Sequence, residues 1–311
     1  MKAIVVTGAT GLIGRALVGK LSARGDEVIA LVRDPSRAKL ENVELVRADL
    51  EHAGPWCDVI AGADAIVHLA GEPIAGKRWD ARQKQILRDS RVESGRTIVE
   101  AIAKAKRKPA AIVGASGVDY YPFDHGEGEF ADEPVTEIDP PGDGFLARLC
   151  VAWEREVLAA ETYGVRAVCL RTGIVLAPGG GALARMATPF KLFAGGKIGS
   201  GRQRVSWIQL DDIVAAYIAA IDDTRYRGPI NAVAGSVRNG ELAHAIGHAM
   251  HRPAVVPVPA FALKLAVGGE LAESILNGRN VVPAKLRELG FLFLHPDLAD
   301  SVACSLGHTA R

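Results

Sequence analysis

Lys2-Ala3-Ile4-Val5-Val6-Thr7 runs directly into Gly8-Ala9-Thr10-Gly11-Leu12-Ile13-Gly14, and an amphipathic segment with Leu17 and Leu21 against Arg15, Lys20 and Arg24 follows at once. The β-branched run, the three glycines spaced by three and the amphipathic run predict a strand, a tight turn and a helix. Gly8 permits the sharp turn off the strand, Gly11 lets the backbone approach a pyrophosphate, and Gly14 lets the helix lie close against the strand. The unpaired N–H groups and dipole of the helix start then face an anion. A glycine triplet alone is an ordinary βα turn; the strand before it and the helix after it make it a dinucleotide cradle.

Outward from this turn, Glu27-Val28-Ile29-Ala30-Leu31-Val32 reads as a second buried strand, and Arg33 follows it directly. An acidic residue at this point would hold the ribose 2′-hydroxyl of NAD; an arginine suits the 2′-phosphate of NADP. Arg33, with Ser36 and Arg37 close behind, therefore favours NADP(H), against the plainer reading of a solvated basic turn. Val43-Glu44-Leu45-Val46-Arg47 is a third strand, and Asp49-Leu50 follows it where an adenine-edge contact is expected, although Asp49 equally suits a helix cap. Asp64-Ala65-Ile66-Val67-His68-Leu69 is the fourth strand, ending in Ala70-Gly71, small enough for the backbone to pass close to a cofactor. A helical pattern covers residues 80–106, and Ala110-Ala111-Ile112-Val113-Gly114-Ala115-Ser116 is a fifth strand. Strand and helix alternate throughout, which predicts an α/β fold with a doubly wound parallel sheet, its ligand beyond the carboxyl ends of the strands. Thr10, Arg33, Gly71 and Ser116 all fall there.

Residues 117–144 lack periodicity and are acidic, with eight carboxylates between Asp124 and Asp143 alone. A loop this long is either a lid or an acidic surface excursion. Residues 145–163 then read as helix and Val165-Arg166-Ala167-Val168-Cys169-Leu170 as a sixth strand. Gly195-Gly196-Lys197-Ile198-Gly199-Ser200-Gly201 fails the Walker pattern at Lys191, which stands where a glycine is needed, and at Ile198, which stands where Ser or Thr is needed. Ser206-Trp207-Ile208-Gln209 reads as a short strand, with Asp211 or Asp212 capping a helix over 213–221, and 229–234 is one more strand. His244, His248 and His251 share a helical face by spacing, yet lack the glutamate of an HExxH site, so they read as surface or packing residues and no metal is expected. The expected organisation is a nucleotide-binding Rossmann domain over 1–175, to which 208–234 returns, and a substrate-side lobe from 176–207 and 235–311, with 254–311 a helical C-terminal segment.

The 311 residues are 49% hydrophobic and carry 37 basic and 36 acidic side chains, a net charge of +1. That balance offers no electrostatic footprint for nucleic acid or a membrane surface and points to a small-molecule partner. Cys57, Cys150, Cys169 and Cys304 form no CxxC pair, which suits a reducing compartment. With no signal peptide visible ahead of the first strand and no apolar run of spanning length, a soluble cytoplasmic protein is expected, as a monomer or homodimer.

Thr7-Gly8-Ala9-Thr10-Gly11-Leu12-Ile13-Gly14, Ser116 with Tyr120-Tyr121, and Trp207-Ile208 before Asp211-Asp212 resemble the extended short-chain dehydrogenases/reductases. Ala70-Gly71-Glu72-Pro73-Ile74, Arg78-Trp79, Ser90-Arg91, Trp153-Glu154 and Leu170-Arg171-Thr172-Gly173-Ile174-Val175-Leu176 narrow the resemblance to its atypical, YfcH-like branch of epimerase-family proteins, whose C-terminal domain of unknown function matches the segment from about Ala254. The resemblance implies an NADP-binding Rossmann fold, with Gly8, Thr10, Gly11, Leu12, Ile13, Gly14, Arg33, Asp49, Leu50, Leu69, Ala70, Gly71 and Ser116 on the cofactor.

It also implies a tyrosine acid/base with a lysine four residues on, and this chain has no such pair. The residues four beyond its five tyrosines are Asp124, His125, Ala167, Ile221 and Ile230. Aligning Glu154 with the family helix puts Leu146 at the tyrosine and Cys150 at the lysine, and Arg91 stands where an asparagine is common. Leucine has no proton to transfer, and a thiol is a poor substitute for an ammonium.

Three functions follow. The first is an NADP-dependent oxidoreductase on a small carbonyl or hydroxyl substrate with a relocated acid/base, for which Ser116 and Tyr121 are best placed; Arg78, Tyr120 and Glu154 are then substrate contacts or structure. The second is a non-catalytic NADP(H)-binding regulatory protein. The third, a sugar-nucleotide epimerase, rests on the family name more than on residues.

Overall fold

The computed structural model describes residues 1–123 and 132–307. In chain order the elements are β1 (Ala3–Thr7), α1 (Leu12–Ala23), β2 (Glu27–Val32), β3 (Glu44–Arg47), α2 (Cys57–Ile60), β4 (Ala65–His68), α3 (Ala81–Lys104), β5 (Ala111–Gly117), β6 (Pro134–Val135), α4 (Phe145–Leu158), β7 (Arg166–Thr172), β8 (Ile174–Leu176), α5 (Gly181–Lys191), β9 (Arg204–Gln209), α6 (Leu210–Asp222), β10 (Gly228–Ala232), β11 (Gly235–Arg238), α7 (Asn239–Ala249), α8 (Ala260–Val267), α9 (Gly269–Leu276), β12 (Asn280–Val281), α10 (Ala284–Glu288) and α11 (Leu298–Ser305). Seven parallel strands form one sheet in the order β10-β7-β5-β4-β1-β2-β3. Both faces are covered, which is why β1 and β4 read as unbroken apolar runs rather than alternating ones. Leu17 and Leu21 of α1 pack with Ile213 and Tyr217 of α6 on one face; Ile98 and Ile102 of α3 pack with Trp153 and Val157 of α4 on the other. The chain runs outward from β1 to β3 and returns on the opposite side of β1, so the strand order reverses between β1 and β4 and opens a crevice at their carboxyl ends.

A smaller sheet, β11-β9-β8, packs with α5, α7 and α11 around Trp207, Phe190 and Ile246. Between these strands the chain returns to the first layer, where α6 packs with α1 and β10 pairs with β7. The cap of α6 differs from the sequence expectation. Gln209, not Asp211 or Asp212, accepts from the amide of Asp211. Asp212 turns away and accepts from the amides of Leu294 at 2.6 Å and His295 at 3.1 Å, holding the C-terminal segment. The three histidines do not share a helical face either: α7 ends at Ala249, and His251 lies beyond it with φ of 53°. No group of three or more metal-ligating side chains occurs among the described residues.

The acidic 117–144 stretch was expected as a lid or a surface excursion, and residues 124–131 of it lie outside the described residues. The part that follows is an anchored strap. Asp132 pairs with Arg204 and Arg238, β6 pairs with β12, and buried Glu137 accepts from the amides of Asn231 at 3.0 Å and Lys285 at 3.1 Å.

Beneath the strap a buried network joins the sheet to the C-terminal segment. Arg171 of β7 grips Glu154 of α4 with two parallel hydrogen bonds, each 2.8 Å, and the two side chains are only 2% and 5% exposed. Ser116 donates to Glu154 Oε1 at 2.7 Å. Arg171 Nη1 donates to Tyr121 at 2.9 Å, and the tyrosine hydroxyl donates to Asn231 Oδ1 at 2.7 Å. Asn231 Nδ2 then donates to the carbonyl of Val282. Burial alone would lower the Arg171 pKa, but the Glu154 hydrogen bonds and charge raise it above the usual value.

His68, fully buried at the end of β4, links β1 to α3. Thr7 Oγ1 already accepts from the amides of Leu69 and Ala70, so its proton goes to His68 Nδ1 at 2.8 Å, leaving Nε2 protonated against Ser94 Oγ at 3.2 Å. The imidazole is therefore held neutral. Burial, and then the Arg91 charge, lower its pKa from 6.5 to about 4.

Two outcomes follow for stability. Arg171→Met or Glu154→Leu alone is expected to cost ~3–5 kcal/mol in urea unfolding, because each strands a buried charge, while the double replacement costs less than either single; additive losses would contradict the pairing. Because the folded pKa of His68 lies below the unfolded one, its neutral form favours folding above pH 6.5, and ~3 kcal/mol of stability is lost as pH falls from 6.5 to about 4. A His68→Gln variant is expected to unfold with a flatter pH dependence across that window.

Candidate functional site

The glycine turn closes the carboxyl end of β1 against the end of β4. Gly8 has φ of 65°, and a Cβ there would lie 2.6 Å from the backbone of Leu69. A Cβ on Gly14 would lie 2.2 Å from the Gly8 carbonyl oxygen, so α1 seats directly on the turn only because position 14 lacks a side chain. Gly11 is the N-cap of α1, and no side chain caps that end. Its amides are satisfied by solvent or by an anion, and the helix dipole favours the anion.

The predicted cofactor residues lie along one edge. Thr10, Gly11, Arg33, Asp49 and Gly71 are exposed, Gly8, Leu12, Ile13, Leu50, Leu69 and Ala70 are half-buried, and Gly14 and Ser116 are buried. Arg33 caps the end of β2 with its side chain in solvent. Asp49 is no helix cap: it accepts from the amide of Glu51 and pairs with His52 at 2.8 Å within a turn, and the next helix, α2, begins eight residues on. From the smaller lobe, the turn leading into α5 descends onto Leu12, whose Cδ atoms would meet Cβ atoms on Gly180 and Gly181 at 3.1 and 3.0 Å. The wall of the crevice thus comes from both lobes.

The expected chemistry-bearing residues are placed differently from one another. Ser116 ends β5 as expected, but its proton is given to Glu154. Tyr121 is 1% exposed, its hydroxyl is bonded on both sides, and burial pushes its pKa up to about 12. A phenol so enclosed has no route to a substrate oxygen, and its position makes it a structural bridge instead of an acid/base. Glu154 belongs to the same network. Tyr120 carries the Arg171 guanidinium 3.4 Å from its ring centroid. Arg78 reaches across to the carbonyl of Leu265 in α8, and Lys84 of α3 pairs with Glu270 of α9, so the loop after β4 is tied to the C-terminal helices.

Leu146 and Cys150, which the sequence reading set against the family's tyrosine and lysine, are both buried. Burial pushes the Cys150 thiol up to about 12, so neither residue exchanges a proton near neutrality. The sequence reading noted Arg91 only as standing where an asparagine is common, and it passed over Asp119. Arg91 is 7% exposed; it donates to the carbonyls of Leu87 and Glu72 at 3.1 and 2.9 Å and stacks on Trp153. Among the described residues no carboxylate lies within ion-pair distance of it. Burial lowers its pKa to about 10. Asp119 sits half-buried in the turn after β5. The one available signal was its position, three residues beyond Ser116.

The match to the model of the NAD dependent epimerase/dehydratase family covers residues 4–232, and a domain of unknown function matches residues 258–303. An epimerase family protein of Mycobacterium bovis is 37% identical over 305 residues, 96% of each chain. The chloroplastic homologue of epimerase family protein SDR39U1 from Arabidopsis thaliana is 37% identical over 96% of this chain and 85% of its own. The crystal structure of human SDR39U1 with NADPH superposes with a TM-score of 0.85 at 32% identity, covering 98% of this chain and 99% of that one. The chain therefore belongs to the NAD dependent epimerase/dehydratase family, in the atypical short-chain dehydrogenase branch that carries the C-terminal domain of unknown function.

Proposed function

We propose that the chain binds NADP(H) along the edge from Gly8 to Gly71 and transfers hydride between its nicotinamide and a small carbonyl or hydroxyl compound, as a monomer or homodimer in a reducing compartment. The observation that carries this is the glycine turn itself. Gly8 and Gly14 are held where any side chain would collide with backbone, and the uncapped start of α1 is left facing the crevice. This geometry suits a pyrophosphate, and the NADPH in the human relative supports it. Arg33, exposed at the end of β2, suits the 2′-phosphate. When bound, the nicotinamide supplies or accepts the hydride. The protein's part is to hold it against the carboxyl ends of β4 and β5, exclude water with the turn before α5, and move one proton.

One observation favours a second reading. Leu146 and Cys150 are buried, and Ser116 and Tyr121 are committed to the Arg171–Glu154 network. A chain stripped of its usual proton donors also fits a regulatory protein that binds NADP(H) without turning it over. The sugar-nucleotide epimerase reading rests on the family description and on the likeness, at 32% identity, to a structure described as a nucleoside-diphosphate sugar epimerase from Corynebacterium glutamicum; no residue of the site adds to it.

Thermal unfolding with each nucleotide tests the cofactor assignment. NADPH at a hundredfold excess over its Kd is expected to stabilise by ~2.7 kcal/mol, with a smaller effect from NADH. Arg33→Ala is expected to weaken NADPH ~10- to 100-fold and leave NADH unchanged, the loss of one charge-assisted contact. A larger shift with NADH, or an NADPH preference that survives Arg33→Ala, would overturn it.

A further inference from the structure

We propose that Asp119 is the catalytic proton donor and acceptor of this site, with the buried Arg91 guanidinium as the charge that sets it; the assignment rests on the oxidoreductase reading above. Hydride transfer to a carbonyl leaves a negative oxygen that needs a proton within hydrogen-bond reach. At the ends of β4, β5 and β7 the obvious donors are occupied. Ser116 gives its proton to Glu154, Tyr121 gives its own to Asn231, and His68 is sealed between Thr7 and Ser94.

Asp119 is different. It lies in the short 3₁₀ turn Val118–Tyr120 directly after β5, half-buried as a residue with its carboxyl turned in from solvent, and among the described residues it forms no ion pair. Its carboxylate folds back over Gly117: a Cβ added there would lie 3.3 Å from Asp119 Oδ2 and 3.7 Å from Cys150 Sγ. The missing side chain at 117 and the short one at 150 therefore leave a space at the strand end, and the carboxylate occupies it.

Arg91 approaches the same strand ends from α3. A Cβ on Gly71 would lie 3.0 Å from its Cζ, so it stands directly behind the loop after β4. The charged and titratable groups that act on Asp119 are Arg91 from α3 and Cys150 from α4; beyond Cys150 lies Glu154, paired with Arg171 of β7. Burial raises the Asp119 pKa to about 6, and the hydrogen bond from its own backbone amide and then the Arg91 charge oppose the rise. An acid in that range holds a proton for donation and releases it near neutrality.

In the reductive direction the carbonyl carbon gains a hydride, with its two electrons, from the reduced nicotinamide. The carbonyl oxygen takes the Asp119 carboxyl proton. The C=O π bond, the nicotinamide C–H bond and the Asp119 O–H bond break; a C–H and an O–H bond form. The products are an alcohol, oxidised nicotinamide and an Asp119 carboxylate favoured by the Arg91 charge, which regains its proton from solvent as the alcohol leaves. Oxidation runs the same steps backwards.

The test uses the full chain in two measurements. Infrared difference spectra across a pH titration are expected to show a carboxyl band lost with a midpoint near 6, absent in Asp119→Asn and shifted to higher pH in Arg91→Met. Should Arg91→Met fail to fold, Arg91→Lys is expected to keep the midpoint within one unit of the native one. Single-turnover oxidation of bound NADPH by a carbonyl panel is expected to fall ~10²- to 10⁴-fold in Asp119→Asn, with its NADPH thermal shift retained. No titrating band assignable to Asp119, or an Asp119→Asn variant as fast as the native chain, overturns the assignment alone. A native chain that binds NADPH and never oxidises it overturns the oxidoreductase reading, and this assignment with it.

Discussion

The bidentate Arg171–Glu154 pair is the interaction on which the arrangement of this molecule turns. Two opposite charges taken out of water are costly unless every remaining hydrogen-bond position is filled. Here Ser116 donates to Glu154, and Arg171 donates to the Glu137 carbonyl and to Tyr121, which Asn231 holds in turn. β5, β7, β10 and α4 are thereby locked to the segment around Val282 and Lys285. The C-terminal region is docked by polar bonds as well as by apolar packing, and Asp212 repeats the device at Leu294 and His295. The same network decides the chemistry, because it consumes two hydroxyls that would otherwise point to a substrate.

The other constraint is steric. α1 rests on the turn it grows from, and the turn rests on the end of β4, with no room for a Cβ at Gly8 or Gly14. A nucleotide cradle and a proton relay are separable parts of such a site. In this chain the first keeps the form proposed to hold NADP(H), while the sequence holds no Tyr-x-x-x-Lys pair for the second. The buried guanidinium of Arg91, with no ion pair among the described residues, and the half-buried residue Asp119 stand near the strand ends.

Much of this was legible in the sequence, for physical reasons. The glycine spacing, the buried strand runs and the alternation with amphipathic segments report the doubly wound sheet directly, since each follows from local sterics or one-dimensional periodicity. Long-range polar pairing was not legible. Arg171 and Glu154 lie 17 residues apart, and Tyr121 and Asn231 110 apart, and no pattern in either segment marks the partner. Tyr121 therefore read as a free phenol. Asp212 read as a cap because acidic residues favour helix starts, whereas its true partners lie 82 and 83 residues away. His251 read as helical because spacing alone cannot show where α7 stops.

The most direct measurement of whether this cradle serves chemistry is a single turnover with NADPH deuterated at the transferred hydrogen, bound to the native chain and mixed with small aldehydes and ketones. The reduced-nicotinamide absorbance should decay for at least one compound, and the deuterium should appear on the carbinol carbon of the product. Cofactor that stays bound and reduced against the entire panel would make this a nucleotide-binding protein without a redox step.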